Sequence, residues 1–277
     1  MWKLIKMDFY RLFTSKTLKV GALMAAIICA VYMLASMGII ALTKYYLESD
    51  PKLYEDMVAM GEFLPQIAWF AGGVNFSEIL FSTASFFSLF IGCMITANFI
   101  GSEQSCGYTK NFAGQLPDKG YMALSKFIVT SVAQILIIIV YTIVAAALAF
   151  PLLGRYIEGF SITPLLATFG LMILLYLAIN AIIVFVCMIT KSHAIAMVIG
   201  CIFGIGATKL AYHSASALLS MMKIKFEIAE VMPDGVWSML TLDSYGSVAG
   251  KAIGVSLCFI AVFLTASFIV LRKRDIR

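Results

Sequence analysis

Apolar residues fall in six runs of about twenty positions each, 18–42, 77–100, 127–150, 164–190, 194–212 and 252–271, separated by polar segments of unequal length. A helix of about 20 apolar residues crosses roughly 30 Å of hydrocarbon. None of the runs alternates as the strand of a membrane barrel does. The pattern predicts an all-α polytopic membrane protein with six transmembrane helices, forming a single membrane domain over 1–277. The fifth run is the weakest of the six, because Gly200, Gly204 and Gly206 dilute it and Lys209 lies near its end.

Ahead of the first run stands MWKLIKMDFYRLF. Trp2, Ile5, Phe9, Leu12 and Phe13 fall on one helical face, and Lys3, Lys6 and Arg11 on another. A secretory signal would carry an unbroken apolar centre and a small-residue cleavage site. The pattern predicts instead an interfacial helix over 1–17, its cations toward lipid head groups.

Composition agrees with this reading. Of 277 residues 62% are hydrophobic and 13% charged, against about 25% charged in a soluble domain. With both termini placed in the cytoplasm, the inner segments hold 13 of the 20 Lys and Arg, although the outer segments are longer in total. That asymmetry sets the orientation and puts 101–120, GSEQSCGYTKNFAGQLPDKG, inside. Outside lie 43–76, with Glu48, Asp50, Glu55, Asp56 and Glu62, and 213–250. The second mixes apolar pieces too short to span with breaks such as Pro233-Asp234-Gly235, and re-entrant helices are expected there.

The net charge of +5 suits the cytoplasmic leaflet. No basic block interleaved with aromatics is present, so no nucleic-acid partner is expected. Five cysteines lie within apolar runs and Cys106 in the inner loop, without a CxxC pair; small apolar fillers are expected, with no metal. His193 and His213 stand alone, and HExxH and GxSxG motifs are absent. GIGATK at 204–209 lacks the Gly-Lys-Ser/Thr ending of a phosphate-binding loop, so no catalytic residue is assigned and ATP-driven work must reach the chain from another subunit. The runs are almost bare of carboxylates, which argues against coupling to an ion gradient. Their polar side chains, Asn180 and Gln134 with Thr83, Ser85, Ser88, Thr96 and Asn98, have two readings: hydrogen bonding between helices, or the lining of a transient pathway. Gly200 and Gly204 are spaced to bring two helices close.

The leader, the six runs, IGSEQSCGYTKNFAGQLPDKGYMALSKFI after the second run and the closing FIVLRKRDI together resemble the permease subunits of ABC-2 type ABC transporters. The family pattern E-x-x-x-G-T-x-K is met in order by Glu103, Gly107, Thr109 and Lys110, with Tyr108 interposed; Pro117, Lys119 and Lys126 match the later part. Asp118-Lys119 replaces the family's usual Arg after a Pro-Ser pair.

The resemblance implies that 101–120 contains a coupling helix that docks on a separate ATP-binding subunit, through Glu103, Gly107, Thr109, Lys110, Asn111, Phe112, Leu116 and Pro117. The leader would be the connecting helix at the membrane surface. Two permease chains, identical or homologous, would work with two ATP-binding subunits that carry ATP and Mg; this chain would hold no cofactor of its own. The size resembles Gram-positive exporters of bacteriocins, lantibiotics and phenol-soluble modulins, which implies a peptide substrate. The alternatives are a non-transporting immunity or sensor protein, and an ABC-2 permease that exports drugs or lipids.

Overall fold

The computed structural model describes residues 1–49, 74–105, 118–153, 157–190, 192–221 and 227–273. These residues are almost entirely helical. Helix α1 is Trp2–Thr14, α2 Lys16–Ser49, α3 Phe76–Ser105, α4 Tyr121–Leu153, α5 Ile162–Thr190, α6 His193–Ile205, α7 Thr208–Met221, α8 Pro233–Ser238 and α9 Tyr245–Lys273. Five of them (α2, α3, α4, α5 and α9) are long and apolar enough to cross a membrane. Among the described residues the one sheet is a parallel pairing of β1, Val74–Asn75, with β2, Ile157–Gly159.

The helices form a bundle with two distinguishable ends. At one, here the base, the close of α3 meets the start of α4 and the inner face of α1. The close of α9 joins them, with Phe268 on Tyr121 at 5.9 Å between ring centroids and Arg272 3.6 Å from Asp118. At the other end, the top, Ser77 at the start of α3 donates to the Ser161 carbonyl beside α5 at 3.0 Å. Phe76 packs there against Phe150 and Phe160. The first and last helices of the chain thus end on the same side.

α3 and α5 occupy the centre and are mostly buried, whereas α9 presents most of its surface outward. Outward Leu, Ile and Val on α2, α4 and α9 match a lipid environment, where an apolar side chain loses nothing by exposure. Between α1 and α2 the chain turns at Ser15, whose backbone is extended (φ −67°, ψ 144°). The Ser15 hydroxyl then accepts from the Leu18 N–H at 3.4 Å and opens α2.

The run 194–212, expected as one span, is divided into α6 and α7. Gly206 adopts the left-handed conformation (φ 75°, ψ 19°), and the Ala207 N–H reaches back to the Ile202 carbonyl at 3.1 Å. A helix ends where a residue without a Cβ takes this turn. The 13 residues of α6 rise about 20 Å, short of the roughly 30 Å of hydrocarbon. α6 leaves the base beside α5 and runs along α3. A Cβ on Gly200 would lie 3.1 Å from the Cys93 Cβ, and one on Gly204 2.6 Å from the Phe90 Cα, so the two glycines do bring the helices close.

Beyond α6 the chain continues in short pieces to the start of α9 at the top. α8 is buried at Pro233–Val236 against α5 and α9, with Trp237 on Tyr176 at 6.0 Å. Asp234, fully buried, accepts from the hydroxyls of Thr208 and Tyr212, the latter at 2.9 Å, which ties α8 to α7.

Candidate functional site: a buried ion cluster at the base

The leader helix decides the site. Leu4, Ile5, Asp8 and Leu12 are its buried residues, a stripe at helical spacing with one acid in its middle. Of the residues expected on its apolar face, Ile5 and Leu12 pack into the bundle. Trp2 and Phe13 are exposed, and Phe9 stacks on Phe13 at 6.3 Å. The apolar surface is therefore shared between the bundle and the outside.

A carboxylate buried among apolar side chains needs a cation and further hydrogen bonds. Asp8 has both. Its Oδ1 lies 2.6 Å from Lys126 Nζ and its Oδ2 accepts from the Ser125 hydroxyl at 2.6 Å. Lys126 stands one turn into α4 and also binds Glu103, two residues before the end of α3, at 2.6 Å. Arg11 Nη1 completes the set at 2.7 Å from Glu103 Oε1. Asp8, Glu103 and Lys126 are at most 3% exposed and Arg11 30%. Phe99, one turn above Glu103, holds the Lys126 ammonium 5.2 Å and the Arg11 guanidinium 6.0 Å from its ring centroid.

Two cations and two anions close the cluster at zero net charge. Glu103 near the C-terminal end of α3 opposes the helix dipole, and its two cations supply the compensation. In a chain with so few charges, four of them join α1, α3 and α4 at one point. That point adjoins the segment 106–117, which leaves α3 and returns to α4.

Gly107, Thr109, Lys110, Asn111, Phe112, Leu116 and Pro117 lie outside the described residues. Glu103 is within them. Asp8 did not emerge from the sequence as a site residue, although a signal exists. It is the sole acid of residues 1–19, and Leu4, Asp8 and Leu12 share a helical face, a placement that calls for a buried partner.

A second polar layer lies in the bundle interior. Asn180 on α5 donates to Thr130 and Ser131 on α4 at 3.0 and 3.1 Å and accepts from Thr96 on α3 at 2.8 Å. Thr130 in turn donates to the Lys126 carbonyl at 2.8 Å. Higher up, Tyr176 donates to the Ser85 carbonyl at 2.9 Å and Ser88 to the Tyr176 oxygen at 3.5 Å. Thr83 donates to the Ile79 carbonyl of its own helix. The Gln134 amide, 1% exposed, has no hydrogen-bond partner among the described residues and lies over Gly92. Of the residues singled out as a possible pathway, Thr83, Ser88 and Thr96 are buried, Ser85 is half-buried, and Asn98 faces a groove on the opposite side of α3, between α2 and α6. Among the described residues no group of three His, Cys, Asp or Glu is placed to hold a metal.

Compared with models of known protein families, with curated proteins and with solved structures, the chain finds no match.

Proposed function

We propose that this chain is the membrane subunit of an ATP-driven exporter of hydrophobic or amphipathic peptides, of the ABC-2 permease type. The observation that carries the reading is the ion cluster at the base. A separate ATP-binding subunit docks on 106–117, the segment that joins the two helices bearing Glu103 and Lys126. Through Asp8 and Arg11 the same cluster grips the leader. A push on 106–117 then moves α1, α3 and α4 together, because parting them exposes buried charges to an apolar surrounding.

In this reading the base faces the cytoplasm and holds both termini. Five long helices and the divided α6–α7 element make six crossings, with α8 as a short re-entrant helix at the outer side. Two such chains work with two ATP-binding subunits, which supply ATP and Mg. ATP binding closes the ATP-binding pair, and the peptide moves along the interface of the two permease chains. The scarcity of carboxylates in the apolar runs favours this energy source over an ion gradient.

The experiment is co-purification of this chain with an ATP-binding subunit from the same cells, followed by an assay of ATP hydrolysis. Lys110→Glu and deletion of 109–114 are expected to abolish association. Lys126→Met is expected to preserve association and to remove the stimulation of hydrolysis by peptide. Association and stimulation left intact by all three variants would refute the docking role.

A further inference from the structure

On the flank of the bundle, α2, α3 and α6 enclose a groove with a cavity of about 360 Å³, within the usual range for small-ligand sites. Its shaft is apolar: Val20, Met24 and Ile28 on α2, Phe90 and Met94 on α3, Met197 on α6. Its polar groups, Lys16, Thr17 and Asn98, all lie toward the base. Lys16 to Ile28 spans 12 residues of one helix, a rise of about 18 Å. A single leaflet contributes half of the roughly 30 Å of hydrocarbon, about 15 Å. The groove is therefore as long as one leaflet is deep, apolar along the depth of the acyl chains and cationic where head groups lie. Lys19, also exposed, follows Lys16 on the next turn of α2 and adds positive charge at the same level.

We infer that the groove binds one anionic phospholipid of the leaflet on the base side. An acyl chain lies along Val20, Met24, Phe90 and Met94, and the phosphate rests on the Lys16 ammonium with the Asn98 amide donating beside it. Charge complementarity selects an anionic head group, since a zwitterionic one brings its own cation to Lys16. The three methionines at the wall, Met24, Met94 and Met197, unbranched and polarizable, fit a flexible chain. Asn98 gains a role here that packing between helices does not give it, since it faces the groove and not the Asn180 layer. The inference stands on the groove alone and holds whether or not the chain transports peptides.

The test is native mass spectrometry of the full chain released from nanodiscs of equal parts phosphatidylglycerol and phosphatidylcholine. One phosphatidylglycerol is expected to remain bound at least fivefold more often than phosphatidylcholine. Lys16→Glu is expected to abolish that preference, and Val20→Trp, which fills the shaft, to abolish retention of either lipid, both with unchanged melting temperatures. Asn98→Leu keeps the shaft and weakens the preference. Equal retention of the two lipids by the unaltered chain, or an unchanged preference in both Lys16→Glu and Val20→Trp, would overturn the inference. So would displacement of the bound lipid by inorganic phosphate, which would reduce the site to a surface charge. A groove occupied by a second copy of the chain would show as a dimer that Val20→Trp dissociates with no change in bound lipid, and this too would overturn it.

Discussion

Lys126 is the residue on which the base depends. Lys126→Met leaves Asp8 and Glu103 buried without their shared cation, and breaking such a set from one side costs about 3–5 kcal/mol. Thermal unfolding in detergent is expected to show that loss. The triple change Asp8→Asn, Glu103→Gln and Lys126→Met, which removes charges of both signs together, recovers most of the stability. Asn180 presents the milder case. Asn180→Leu gives up bonds to Thr96, Thr130 and Ser131, and polar contacts between membrane helices are each worth about 0.6–2 kcal/mol, so a smaller drop in melting temperature is expected. At this scale the sequence was legible where one residue type breaks a pattern. Asn180 stands out against apolar neighbours, whereas Glu103 lies in the polar stretch 101–105 and is reached through the family pattern that opens on an acid. Asp8 was hidden because its partner, Lys126, is distant in the chain and joined to it only by packing of α1 on α4.

The elements divide between those set by their own sequence and those set by their neighbours. The five long helices follow from apolar length alone, and the structure has all five. The run 194–212 met the same length test and still breaks, because Gly206 admits a conformation that an L side chain takes at a cost of about 1–2 kcal/mol. Gly206→Ala is expected to destabilise the chain by about that amount in the same unfolding assay. Gly204→Val is expected to do more, since its side chain meets the Phe90 Cα first, at 2.6 Å, and the Phe90 ring beside it, and overpacking typically costs about 1–3 kcal/mol. The register of α6 on α3 has a direct check. With Cys201 changed to Ser, a cysteine placed by Gly200→Cys is expected to oxidise to a disulfide with Cys93, whose Cβ lies 3.1 Å from the position of the new one and close to the usual spacing of about 3.5–4.5 Å. Pro233-Asp234-Gly235, expected as a break between short apolar pieces of 213–250, instead opens a short buried helix. What holds α8 in place, Asp234 on Thr208 and Tyr212, depends on the break at Gly206 that turns α7 back toward it.

For the whole molecule, the consequence is that the first and last helices end at one face and that four charges are invested there. The ion cluster joins α1, α3 and α4 at the ends of the two helices that 106–117 connects. In the proposed reading that face is cytoplasmic, as the Lys and Arg asymmetry leads one to expect. In a chain stripped of native cysteines, single cysteines at Lys3 and Lys273 are expected to react with an impermeant maleimide only from the inner side of membrane vesicles, and one at Phe160 only from the outer. The central claim is that motion entering at the base moves peptide across the membrane. Its most direct test is transport of a labelled amphipathic peptide into inside-out vesicles that hold this chain and the ATP-binding subunit that co-purifies with it. Accumulation is expected with ATP and Mg, and only background without ATP, with Lys126→Met, or with 109–114 deleted. Peptide retained equally with and without ATP would contradict the account and mark the chain as a membrane protein that binds peptide without exporting it.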